Sequence, residues 1–205
     1  MKSVSLASVC AAILLAGCAG SGTSTPAADS ASWYNPLSWH WSALNPVSWF
    51  GSTPEVTEQG VGKITAATPM TEAAISKSLG GDYHLRKGMR GDGGKVSTFW
   101  QALSDGKVKM EISGQSSVSR VVVMDDKVSG PGGVKLGVPF STLYSEAFGA
   151  CKLAGDREGS DVRCQAPGSQ HIWYQFTGEW HGPEGLMPDN ATLKKWRLNK
   201  IIWQS

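Results

Sequence analysis

The side chains with chemistry to offer are four cysteines, four histidines and a small knot of carboxylates. Glu179, His181 and Glu184 flank Trp180 on a stretch rich in Gly and Pro. Two carboxylates, an imidazole and an aromatic ring are the parts needed for acid–base work on a sugar, or for holding one. Loops of this composition carry function more often than strands do, although an ordered turn with solvated charges would use the same residues. The histidines, His40, His84, His171 and His181, form neither an H-x-x-x-H pair nor a Cys/His ligand set, so no metal site is expected. No G-x-S-x-G elbow and no phosphate-cradling Gly-rich motif occurs, and the sequence therefore assigns no catalytic residue and no cofactor.

Cys18 is a different case. It closes the run Leu15-Ala16-Gly17-Cys18, an aliphatic residue and two small ones before a thiol. This is the lipobox pattern, in which the thiol takes up a diacylglyceryl group and a signal peptidase then cuts just before it. Upstream, Lys2 supplies a positive charge and Val4 to Ala16 is almost unbroken apolar sequence. That run falls short of the roughly 20 apolar residues a helix needs to span a bilayer and suits the core of a signal peptide. Residues 1–17 are read as the export signal, and Cys18 as the lipidated start of the mature chain. Burying one acyl chain of about 15 methylenes contributes on the order of 12 kcal/mol, and two chains make anchoring stable. The membrane partner is thus reached through lipid rather than through a protein span.

Cys151 and Cys164 remain for an oxidising compartment, where an even remainder reads as a disulfide. Closing a loop of about 14 residues contributes roughly 3 kcal/mol in the chain-entropy picture. A redox-active pair is the sharper alternative, but the spacing is not C-x-x-C.

The elements that would position these groups start after a tether. From Ala19 to about Ala31 the chain is small and polar and cannot bury enough apolar area to order itself. Trp33, Trp39, Trp41 and Trp49 then crowd into a short collar in which Asn35-Pro36-Leu37-Ser38-Trp39 recurs as Asn45-Pro46-Val47-Ser48-Trp49. Such rings suit a membrane–water interface or a partner surface; they equally suit packing on the protein's own domain, and the sequence leaves both open. Residues 18–55 are therefore a lipidated tether with a Trp-rich collar, and 56–205 a β-rich domain. The formal charge of +2 gives no basic patch of the kind nucleic acid requires.

Within the domain, Lys107 to Ile112 and Ile172 to Thr177 alternate in polarity, the period of half-buried strands. Glycines cluster at 91–94 and 130–133, where turns call for positive φ. Two short helices are expected, one capped by Thr71 and ending at Gly80, one capped by Ser141 and ending at Gly149. The two halves resemble each other. Gly62-Lys63-Ile64 matches Val134-Lys135-Leu136 ahead of each helix, Ile112-Ser113-Gly114 matches Phe176-Thr177-Gly178, and Val118 to Val123 matches Leu198 to Trp203. The expected fold is mainly β, an antiparallel β-sandwich-like domain with two short helices and an internal duplication.

From the lipobox to the C-terminus the chain resembles the enterobacterial sigma-E-regulated (RpoE-regulated) lipoproteins, a family known as a domain of unknown function. The resemblance rests on Val56-Thr57-Glu58-Gln59-Gly60-Val61-Gly62, Pro139-Phe140-Ser141, Gly168-Ser169-Gln170-His171, Gln175-Phe176-Thr177-Gly178-Glu179-Trp180, Gly182-Pro183-Glu184-Gly185-Leu186-Met187-Pro188 and Lys200-Ile201-Ile202-Trp203. It implies a periplasm-facing β-rich domain made under envelope stress, and it carries over no catalytic residue. Ala19 after the acylated cysteine, rather than Asp, resembles the sorting pattern of outer-membrane lipoproteins. Two functions follow as expectations: a non-enzymatic binding or support factor at the outer membrane, with an envelope protein or glycan as partner; alternatively, a peptidoglycan- or glycan-binding or hydrolysing protein using the 179–184 loop.

Overall fold

A computed structural model describes residues 54–92, 95–155, 161–183 and 185–205. The signal, Cys18 and the collar tryptophans lie outside them, as does Glu184.

Eight strands form one antiparallel sheet: β4 (His84–Asp92), β5 (Lys95–Ser104), β6 (Lys107–Gly114), β7 (Val118–Val123), β8 (Cys151–Leu153), β9 (Val162–Gln165), β10 (Ile172–Thr177) and β11 (Arg197–Gln204). Their spatial order is β4-β5-β6-β7-β11-β10-β9-β8. Two four-stranded meanders thus meet at their last strands. A three-stranded sheet of β1 (Val56–Thr57), β2 (Gly60–Val61) and β3 (Ile64–Thr65) packs against β7 and β11. The fold is mainly β and sandwich-like, as the strand periodicity predicts.

One face of the large sheet carries the core. Met110, Ile112, Val121, Val123, Ile172, Tyr174, Ile201 and Trp203 are all buried there. Val56, Val61 and Ile64 of the small sheet join the same cluster with the helices' Ile75, Phe140 and Leu193. Alternation puts every second residue of these strands on the opposite, outer face. One outer rung reads Arg86, Gln101, Glu111, Val122, Ile202, Trp173 and Gln165 across seven strands.

The halves are related by a pseudo-two-fold axis, and the backbone pairing shows it residue by residue. Val118 N–H donates to Thr68 O and Leu198 N–H to Val138 O; Met70 N–H donates to Ser116 O and Phe140 N–H to Trp196 O. Pro69 bridges Ser117 as Pro139 bridges Arg197. Even the irregularities correspond, since a bulge leaves Ser119 unpaired beside Ser113/Gly114 and Asn199 unpaired beside Gln175/Phe176. These equivalences match Ile112 to Tyr174 and Gly114 to Phe176. The strands paired in the sequence comparison are the right ones, but the register read there is slipped by two residues, which preserves the face and so leaves the hydrophobic pattern intact.

The helices depart further from expectation. α1 (Glu72–Ser78) is capped by Thr71, whose hydroxyl accepts from Ala74 N–H, and Gly80 follows it at φ 74°. The second helix, α2 (Phe140–Leu143), is only one turn long, and its N-cap is Pro139 with no side-chain bond, not Ser141. Tyr144 turns extended, so the apolar residues beyond it are not one helical face; Phe148 is 91% exposed. A third helix, α3 (Asn190–Leu193), capped by Asp189, was not anticipated. Val134-Lys135-Leu136 follows a 3₁₀ turn at Pro131–Gly133 and forms no strand.

Candidate functional site

The cysteine pair is the first sequence-predicted site that the structure reaches. Cys151 and Cys164 are direct register partners across β8 and β9 and form a disulfide, S–S 2.08 Å. Cys164 points into the core and is fully buried. The bond therefore ties the short edge strand to the sheet.

The neighbouring rung follows from that pairing. Lys152 and Arg163 stand directly opposite each other on the outer face. Gln175 follows on β10, with Trp173 one step along that strand. The ammonium of Lys152 lies over the Trp173 ring, 4.6 Å from its centroid. His171, at the start of β10, has Nδ1 2.9 Å from Gln204 O. A carbonyl only accepts, so Nδ1 carries the hydrogen and Nε2 is the ring nitrogen left for other contacts. Lys152, Arg163, Gln170, His171, Trp173, Ile202, Gln204 and Ser205 together line a groove of about 360 Å³. No acidic side chain lies among its described lining residues. Carboxylates border it on two sides: Asp161, whose Oδ2 accepts from Gln175 Nε2 at 2.9 Å, and Glu58, at the tip of the small sheet. It accepts from Gln170 N–H at 3.3 Å; a Ser169 hydroxyl hydrogen bond, with the field of His171 adding to it, holds its carboxyl below the usual range.

The 179–184 loop has another construction. Trp196, almost fully buried, lays its ring against Gly178, where a Cβ would come 2.2 Å from it, and its indole N–H donates to Glu179 O at 3.3 Å. Trp180 repeats the arrangement within the loop: its ring covers Gly182, and its N–H donates to Pro183 O at 3.3 Å. Glu179 and His181 are exposed, and no hydrogen bond or ion pair joins their side chains. The aromatic ring of this cluster is thus directed to its own loop and the core beneath it, while Glu184 lies outside the described residues.

The sequence reading did not single out Lys152, Arg163 or Trp173. A signal for them was present. If Cys151 and Cys164 pair across two strands, antiparallel geometry forces Lys152 and Arg163 to be opposite each other. Among the described residues, no helix is long and apolar enough to cross a membrane.

This fold and its sequence place the chain in a family: residues 38–205 match the profile described as protein of unknown function DUF1131, and the chain belongs to that family. It is 52% identical over 166 residues to the uncharacterized protein YfeY of Escherichia coli K12, a match covering 80% of this chain and 87% of the relative. The crystal structure of the uncharacterized E. coli YfeY is similar at a TM-score of 0.68 and 50% identity, covering 74% of this chain and 99% of that one.

Proposed function

We propose that this protein is an exported lipoprotein, acylated at Cys18 and held by the 18–55 tether at the periplasmic leaflet of the outer membrane, where it acts as a non-enzymatic binding factor in the sigma-E envelope-stress response. The lipobox supports the anchor, and Ala19 supports the outer membrane as its destination. The observation that carries the binding role is the outer face of the second meander, where two opposed cations and a tryptophan line an open groove. An envelope protein or a glycan would meet this face. Glycan binding or hydrolysis through the 179–184 loop is the alternative. Trp180, whose ring and N–H are both engaged within that loop, favours the groove over it.

The test is made in envelope-stressed cells. Labelled palmitate should enter the wild-type chain, and Cys18→Ala should lose the label and leave the membrane fraction. A photo-crosslinking residue at Trp173 should give a discrete adduct that the same residue at His181 does not. An adduct confined to His181, with glycan turnover abolished by Glu179→Gln, would overturn the proposal in favour of the loop.

A further inference from the structure

The groove on the second meander presents side chains rather than backbone. β10 is paired on both sides, to β9 and to β11, and the edge strand β8 is only three residues long. An extended peptide adds itself to a free sheet edge through main-chain hydrogen bonds, and along β10 those groups already serve the ladder. Recognition here falls to one indole and the polar side chains around it. Trp173 is half-buried and pairs with Ile202 across β11; Ile202 is 1% exposed although it belongs to the outer face. Together they give the groove an apolar floor. At the corresponding place in the first meander stands Glu111, a carboxylate bridged to Arg90 at 2.8 Å. Gln170 and Gln204 are exposed beside the floor, and each amide offers both donors and an acceptor. His171, with Nδ1 bonded to Gln204 O, leaves Nε2 for a ligand.

The charges around the floor are interleaved. Arg163 is engaged within the protein, Asp161 is bonded to Gln175 at 2.9 Å, and Glu58 to Gln170 N–H at 3.3 Å. No concentrated charge of one sign is left to select an ionic ligand. Lys152 plays another part. Its ammonium lies 4.6 Å from the Trp173 centroid and covers the ring face that a ligand would use. Lys152 is exposed, and a cation–π contact at an exposed site is weak, so the ammonium is readily displaced. The C–H face of a pyranose offers the indole the same partial positive charge that the ammonium does.

We infer that this groove binds a neutral saccharide, one ring of which replaces the Lys152 ammonium on the Trp173 face while Gln170, His171 and Gln204 bond its hydroxyl or acetamido groups; the assignment rests on the reading of this outer face as a binding face. A sugar hydroxyl both donates and accepts, so it can satisfy an amide and an imidazole nitrogen together. The groove's volume of about 360 Å³ is at the small end of ligand sites and suits a short saccharide segment rather than a long chain.

The experiment uses the full lipidated chain in a polyoxyethylene detergent, which has no sugar headgroup, titrated by calorimetry with three probes: the β-1,4-linked dimer of N-acetylglucosamine, maltose, and inorganic phosphate. At least one disaccharide should bind, with an affinity that salt leaves nearly unchanged, and phosphate should not compete. Trp173→Ala should weaken binding about tenfold or more, and Trp173→Phe, which keeps a ring on the floor, should recover part of it. Gln204→Ala should cost about fivefold. Lys152→Met removes the competing ammonium and keeps the length of the side chain, so it should tighten binding about two- to fivefold. Arg90→Gln, on the first meander, should change nothing. Binding that persists in Trp173→Ala, or that weakens in Lys152→Met and yields to phosphate, would overturn the inference, since the ligand would then be read elsewhere or by charge. Should neither disaccharide bind while Trp173 crosslinks persist in cells, the saccharide assignment falls and the binding face stands. Sugar binding without any crosslink at Trp173 in cells would sustain the assignment and remove the proposed cellular role.

Discussion

Val122 and Ile202 face each other across the two central strands, and each is the other's counterpart in the opposite half of the domain. Val121 pairs with Trp203 and Val123 with Ile201 on either side, so the pseudo-two-fold axis passes through the Val122–Ile202 rung. Both side chains are buried although they belong to the outer face. The joint between the meanders is therefore apolar on both faces of the sheet. Ile202→Ala should cost about 2–5 kcal/mol, read as a lower denaturation midpoint. Val122→Ala removes less volume from the same rung and should cost less. The double substitution should depart from additivity, because the two side chains share one contact.

The disulfide gives a second prediction. Replacing Cys151 and Cys164 by alanine should lower stability by roughly 3 kcal/mol, with the size set by loop closure. The loss should show locally as faster amide exchange in Lys152 and Leu153, because β8 is a three-residue edge strand paired only to β9. Uniform loss of protection across both meanders would instead mean that the bond holds the whole sheet.

A buried polar network on the first meander predicts a third outcome. Tyr83 O–H donates to Asp125 Oδ2 at 2.6 Å, and Lys127 N–H donates to Asp125 Oδ1 at 3.1 Å. Asp125 is almost wholly buried. Burial, reinforced by the Asp125 hydrogen bond and charge, pushes the Tyr83 phenol well above its ordinary value. Asp125→Ala leaves two donors without their acceptor and should cost about 1–3 kcal/mol. Spectrophotometric titration should then show the Tyr83 phenol ionising at lower pH than in the wild type. The sign holds for alkaline stability too: a phenol whose folded pKa is raised disfavours the folded state once the unfolded phenol ionises.

Much of this fold is legible in the sequence because polarity alternates along β6 and β10, and that alternation decides which side chains face the core, although Gln175 on the outer face of β10 is buried too. The repeat was legible for the same reason: Val118–Val123 and Leu198–Trp203 match position by position, and they form the central strand pair. What failed was what alternation cannot encode. A two-residue slip between β6 and β10 keeps every side chain on its face, so the register is revealed by the strand pairing and the matching bulges at Ser119 and Asn199, not by polarity. The apolar residues after Phe140 read as a helix, yet the chain turns extended at Tyr144, where its ring stacks with Phe140 and meets Phe176 edge-on. Tertiary aromatic packing outweighed a helical spacing there. The groove was hidden because Lys152 and Arg163 are far apart in sequence and meet only through strand pairing, whereas Glu179, His181 and Glu184 are close in sequence and so drew attention first.

The last prediction concerns acid. Glu58 and Asp189 both have carboxyls held below their usual values, Glu58 by the Ser169 hydroxyl first and Asp189 by Thr192 as the α3 cap. A carboxylate with a depressed folded pKa stabilises the fold above its unfolded value, and that contribution is lost as pH falls through the folded value. Stability should therefore begin to decline below about 4.5 for Glu58 and 3.8 for Asp189, their ordinary values, and continue down through the lower folded values. Both groups are exposed to solvent, so the decline should be shallow. Glu58→Gln should flatten its share of the acid limb while leaving neutral stability slightly reduced, as chemical denaturation across a pH series would show. Because Glu58 also bonds Gln170 beside the groove and its backbone carbonyl accepts from Trp203 Nε1–H at 3.1 Å, loosening it should raise amide exchange at Gln170 and His171. An acid limb unchanged in Glu58→Gln would show that the small sheet's tip is held to β10 and β11 by its backbone contacts alone.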